Sequence, residues 1–163
     1  MKIRVSIAEQ ALTLRDDDGR VLRRYPVSTA ALGAGERSGS YQTPRGRHIV
    51  RAKIGAGMPV GAVFKARRWT GEICSAEAYA AQPERDWILS RILWLSGLEP
   101  GRNRLGPVDT MRRYIYLHGT PDRVELGRPG SHGCVRMRNS DIIELFEQVP
   151  CGTEVEIVEH EPA

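Results

Sequence analysis

The chain has 163 residues, of which 40% are hydrophobic and 27% charged, with a formal net charge of +4; this suits one folded domain over residues 1–163 and excludes a disordered chain. Lysine occurs only at Lys2, Lys53 and Lys65, so the positive charge is carried by arginine, whose planar fork suits carboxylates and phosphates; no basic helix or arm points to nucleic acid. No apolar run is long enough to span a membrane, and three cysteines, Cys74, Cys134 and Cys151, are an odd number that leaves at least one free thiol.

In chain order, MKIRVSIAEQALTL alternates from the outset, with Ile3, Val5 and Ile7 on one face of a half-buried strand. No charged-then-apolar leader precedes it. That leaves the cytoplasm, or the cell envelope for a mature form freed of its export signal. Leu12 and Leu14 lead through Asp17, Asp18 and Gly19 to Val21, Tyr25 and Val27, and Asp-Gly between two such runs predicts a hairpin. Gly33 to Gly46 is a long glycine-rich connection with no Gly-Lys-Ser/Thr after it, so it reads as a mobile surface loop and not as a phosphate cradle.

His48 to Ile54 is the next strand, and Ser75 to Gln82 a short helix before Pro83. DWILSRILWLSG fits either a helical face or a buried strand. Arg113 to His118 is a strand. The clearest helix starts near Asn139, Ser140 and Asp141, any of which can cap it, and turns Ile142, Ile143, Leu145, Phe146 and Val149 inward. Pro150 and Gly152 stop it, and Val155 and Ile157 mark a closing strand. The expected fold class is mainly β with one or two short helices.

The chemistry gathers at GSHGCVRMRN, Gly130 to Asn139, together with His118. A thiol is mostly protonated at neutral pH and needs a base, a cation or a helix N-terminus to act as a nucleophile. Around Cys134 the sequence offers His118, His132, Arg136, Arg138 and the coming helix. Gly133 lets the backbone turn and expose N–H groups that could hold an oxyanion. The bland alternatives are a buried small cysteine and a zinc site; His-x-Cys is not a usual zinc spacing, so no metal is expected. His48 reads as a strand residue, His160 as solvated tail, and Cys74 and Cys151 as structural or incidental.

His118-Gly119 followed by Ser131-His132-Gly133-Cys134 resembles the signature of the YkuD-type L,D-transpeptidases, bacterial enzymes that remodel peptidoglycan. YPVSTA, TPRGRH, ILWLSG, YIYLHGT, VRMRNSDIIELF and GTEVEI are similar to that family in the same order, over nearly the whole chain. The resemblance implies a β-sandwich-like catalytic fold, no cofactor and a cell-envelope (periplasmic) location. It implies that Cys134 is the nucleophile and His118 the proton acceptor and donor, that His132 and Gly133 shape the oxyanion hole, and that Ser131 holds the loop. Arg136 either ties the loop down or meets a substrate carboxylate. Gly119, Tyr116 and Trp94 are further substrate-contact candidates, with packing as the competing role of Tyr116 and Trp94.

The implied partners are peptidoglycan stem peptides: a tetrapeptide donor, which gives up D-alanine and leaves a thioester on Cys134, and a diamino-acid acceptor that resolves it into a 3→3 cross-link. Carbapenems are the implied covalent inhibitors. A hydrolytic L,D-carboxypeptidase or amidase is the alternative within the family, and a non-catalytic peptidoglycan-binding module the alternative of another class.

Overall fold

The alternation at the N-terminus forms β1 (Lys2–Ser6), with Ile3 and Val5 wholly buried. In this computed structural model, which describes residues 1–162, β1 is followed by β2 (Ala11–Arg15) and β3 (Val21–Ser28). The turn between β2 and β3 forms where Asp-Gly predicts it. Oδ1 of Asp16 accepts the N–H groups of Asp18 and Arg20, both at 2.9 Å, and Gly19 takes φ +85°. The remaining strands are β4 (Gly46–Ile54), β5 (Ala62–Lys65), β6 (Arg68–Ile73), β7 (Ile88–Gly97), β8 (Tyr116–Gly119), β9 (Val135–Met137) and β10 (Glu154–Val158). Helices α1 (Ala76–Ala81) and α2 (Asn139–Gln148) and a 3-10 turn at Gly106–Val108 complete the fold.

The sheet closes on itself. Its strands run β4-β10-β1-β2-β3-β9-β8-β7, and β4 pairs also with β7, while the β5–β6 hairpin extends from β7. The mainly β expectation therefore holds, and its sandwich-like layers take a barrel-like form. Closure removes the open edges that the ring strands would otherwise expose. Ile3, Val5, Leu12, Leu14, Val27, Leu117, Val135 and Met137 meet Ile142, Leu145 and Phe146 of α2 in one core.

The ambiguous run DWILSRILWLSG is strand β7. Leu93 and Leu95 face the main core, whereas Ile92 and Trp94 belong to a second cluster on the other face. With both faces covered, no apolar–polar alternation survives in the sequence to mark it.

Three local expectations are corrected. The Gly33 to Gly46 connection is not a free surface loop: Thr43 is wholly buried, Arg45 bridges Glu36 and Glu159, and the Arg113 guanidinium donates to the Gln42 carbonyl at 2.6 Å. Strand β8 begins only at Tyr116, because the N–H groups of Arg113 and Tyr114 turn back to the carbonyls of Asp109, Thr110 and Met111. Helix α2 takes Arg138 as its N-cap, with no side-chain cap. Asn139 turns inward, where Oδ1 accepts from the Ser90 hydroxyl at 2.7 Å and Nδ2 donates to the Thr120 carbonyl at 3.0 Å.

Candidate active site

Strand β8 places its side chains by simple alternation. Leu117 enters the main core, so Tyr116 and His118 face the other way, into a cleft of about 510 Å³ that Cys134, Ser131 and His132 also line. Parallel pairing of Leu117 with Val135 puts Cys134 beside Tyr116, one step along from His118. The sequence neighbours His132 and Cys134 thus meet His118 through the β8–β9 ladder.

The Cys134 sulfur is gripped by backbone from both sides. The Tyr116 N–H donates to Sγ at 3.3 Å, and the thiol donates to the Tyr114 carbonyl at 3.3 Å. Burial pushes the thiol pKa up to about 12, against the opposing Tyr116 N–H and the cations of Arg136 and Arg113. Burial likewise holds the His118 pKa below the usual histidine value, and the carboxylate of Asp86 pulls it back up. The pair therefore rests as neutral thiol and neutral imidazole. Nδ1 of His118 lies 2.7 Å from the Gly119 carbonyl, an oxygen that can only accept. That fixes the proton on Nδ1 and leaves the Nε2 lone pair free.

The loop before Cys134 is held by its own polar groups. Ser131 Oγ accepts the Gly133 N–H at 3.2 Å and donates to the Cys134 carbonyl at 2.5 Å, while Thr43 Oγ1 donates to the Gly133 carbonyl at 2.8 Å. Gly133 has φ +131°, and a Cβ there would lie 3.2 Å from Ile115 Cδ1, so both conformation and space call for glycine. The Gly133 N–H is already engaged, whereas the Cys134 N–H has no partner among the described residues and is a donor free for an oxyanion. His132 is exposed at the rim, edge-on to Tyr41 with ring centroids 6.2 Å apart.

Arg136, Gly119 and Trp94 are not among the described residues lining the cleft. Arg136 sits across from His118 in the β8–β9 ladder, half-buried, where its cation lowers the pKa of both His118 and Cys134. Gly119 is needed for close packing: a Cβ there would come within 2.3 Å of Asn139 Oδ1 and 2.6 Å of the Leu89 carbonyl oxygen. Trp94 stands behind the cleft, bonded through Nε1 to the Met111 carbonyl at 3.0 Å and packed against Tyr114 and Tyr116. No group of three or more His, Cys, Asp or Glu side chains is arranged to hold a metal among the described residues.

Sequence reasoning missed Tyr41, Arg67, Asp86, Arg113 and Tyr114, which all line the cleft. They come from four separate stretches and carry no shared motif. One signal exists only in the backbone. Of the non-glycine residues with positive φ, Tyr41, Ala66, Arg67 and Tyr114 all line this cleft, and such strain gathers at functional sites.

The profile of the YkuD family, described as the L,D-transpeptidase catalytic domain, matches residues 1–157. This chain belongs to that family. YkuD of Bacillus subtilis (strain 168), which carries an L,D-transpeptidase name, is 28% identical over 156 residues, covering 95% of this chain and 64% of the relative. YbiS of Escherichia coli (strain K12), also named for L,D-transpeptidase, is 49% identical over 47 residues, covering 29% of this chain and 15% of the relative. The chain thus spans less than two thirds of these curated relatives in the matched stretches. Among solved structures, L,D-transpeptidase 3 from Mycobacterium tuberculosis, in complex with a faropenem-derived adduct, shares the fold with a TM-score of 0.58 at 17% identity, covering 98% of this chain and 60% of that one. No helix among the described residues is long and apolar enough to cross a membrane.

Proposed function

We propose that the protein is a cysteine acyltransferase that acts on peptidoglycan stem peptides in the cell envelope. The observation that carries this reading is that one cleft holds both a backbone-gripped Cys134 thiol and a His118 whose Nε2 lone pair is free. Family membership supports the substrate class.

A neutral pair suits a nucleophile that is deprotonated only as it attacks. Sγ of Cys134 bonds to the carbonyl carbon between an L-centre and the terminal D-alanine. The thiol proton passes to Nε2 of His118, and the carbonyl electrons move to the oxygen. The Cys134 N–H is the donor free to hold that oxyanion. As the carbon–nitrogen bond breaks, His118 returns the proton to the departing amine of D-alanine, leaving a thioester. The side-chain amine of a neighbouring diamino acid then attacks the thioester carbon. Its proton goes by way of His118 to the leaving sulfur, and a 3→3 amide remains. Ser131 keeps the loop in register throughout, and Arg136 lowers the thiol pKa from outside the cleft.

Intact-protein mass spectrometry after exposure to a carbapenem tests the nucleophile. A one-to-one adduct on the native protein, absent from Cys134→Ala, is expected. Purified tetrapeptide muropeptides then separate the outcomes by product mass: a cross-linked dimer for transfer, a tripeptide for hydrolysis. Binding without adduct or product on a well-folded native protein would overturn the reading in favour of a binding module.

A further inference from the structure

Arg67 occupies an unusual place. The β5–β6 hairpin pairs Lys65 with Arg68 across the two-residue turn Ala66–Arg67, and both turn residues have positive φ, 48° and 64°. That is the pattern of a primed hairpin turn, which Asn-Gly adopts without strain and Ala-Arg does not. The turn sets the Arg67 guanidinium over the rings of Trp94 and Tyr114, 4.9 and 4.7 Å from their centroids, and lets Nη1 donate to the Tyr116 hydroxyl at 3.2 Å. Stacking on both rings restricts the plane of the cation, which stays partly exposed to the cleft.

The remaining donors of Arg67 are uncommitted. A guanidinium has five N–H groups, Arg67 makes a single side-chain hydrogen bond, and no carboxylate lies within ion-pair distance of it among the described residues. Arg113, the other cleft arginine, contrasts with it, because its donors go to Gly35 O, Ser40 Oγ and Gln42 O of the Gly33 to Gly46 connection. Arg113 is structural; Arg67 is a fixed cation with its fork open. Its position relative to the sulfur is set as well. Tyr114 and Tyr116, which hold the Arg67 side chain, are the two residues whose backbone groups grip Cys134 Sγ.

We propose that Arg67 is a specificity-determining residue that receives the C-terminal carboxylate of the donor peptide, so that the peptide bond presented to Cys134 is the last one of the chain. The inference rests on the acyl-transfer reading above. In a terminal residue only the α-carbon separates the scissile nitrogen from the carboxylate, which suits a cation that lines the same cleft as the nucleophile. A bidentate guanidinium–carboxylate pair also orients the leaving group.

The test compares two tetrapeptide muropeptide donors, one ending in a free carboxylate and one in a carboxamide, with native protein, Arg67→Ala and Arg67→Lys. The native protein is expected to favour the free acid by about tenfold in kcat/KM, chiefly through KM, as one charge-assisted pair would give. Arg67→Ala should bring the ratio of the two donors close to one, and Arg67→Lys, with charge but no fork, should restore part of it. Alkylation of Cys134 by iodoacetamide, a neutral reagent, checks that the variants keep a folded site. Equal use of both donors by the native protein, or an undiminished preference in a folded Arg67→Ala, overturns this proposal and leaves acyl transfer standing. Failure of the native protein to turn over either donor overturns acyl transfer and the proposal with it.

Discussion

The hydroxyl of Thr43 donates to the carbonyl oxygen of Gly133 at 2.8 Å while accepting the Ala30 N–H at 3.0 Å. One buried side chain thereby joins the Thr-Pro-x-Gly segment to the loop that presents Cys134. Thr43→Val keeps the shape and removes both bonds, stranding two backbone groups at roughly 1–3 kcal/mol each. The expected outcome is a protein that still folds, with a lower melting temperature and at least tenfold slower carbapenem acylation. Unchanged acylation in a folded variant would show that this bond does not hold the loop.

Acylation should survive well into acid. In the proposed reaction His118 takes up the thiol proton and so starts neutral; burial holds its pKa below the usual value, so the rate should stay level through neutrality and fall only below the ordinary histidine range. Asp86 raises the His118 pKa. Asp86→Asn removes that carboxylate, lowers the pKa and shifts the acid limb to lower pH, an effect that added salt should weaken because Asp86 is exposed. A limb that stays put, or moves upward, would sink the assignment of that limb to His118.

His48 gives a stability prediction. It is wholly buried, with Nδ1 3.1 Å from the Gly46 carbonyl and Nε2 3.0 Å from Thr110 Oγ1, and burial takes its pKa from 6.5 to about 4. Between those values the unfolded chain binds a proton that the folded one refuses. The stabilisation is complete above 6.5 and is lost as pH falls toward 4, by about 3 kcal/mol at most. Urea melts of native protein and His48→Gln across that window should show a shallower pH slope in the variant; parallel slopes would refute it.

Gly119→Ala should be costly although it adds one carbon. The new Cβ would meet Asn139 Oδ1 and the Leu89 carbonyl. The first is held by the Ser90 hydroxyl, and the second is backbone of the central strand β7. Overpacking of this kind costs about 1–3 kcal/mol, which for a domain of this size lowers Tm by several degrees. A melt within one degree of native would mean that β7 and α2 yield more easily than their bonding implies.

Much of this protein was legible in its letters. The alternation of Ile3 and Val5, the Asp18-Gly19 turn and the apolar stripe of α2 are local patterns that secondary structure obeys directly, and all three are observed. The strand β7 was not legible, because burial on both faces erases alternation. Nor was the inward turn of Asn139, whose side chain answers to Ser90 and Thr120 instead of the helix end it stands at. At the candidate site, Ser131, His132, Cys134 and His118 could be picked out from the sequence, and the structure brings them to one cleft. Arg67, Asp86, Arg113 and the grip of Tyr114 and Tyr116 on the sulfur came only with the closed sheet. Local sequence determines which residues can turn, cap or react. Which distant cation, carboxylate or backbone group stands beside them is decided by strand pairing across tens of residues, and a pairing between remote strands leaves no mark in either strand alone.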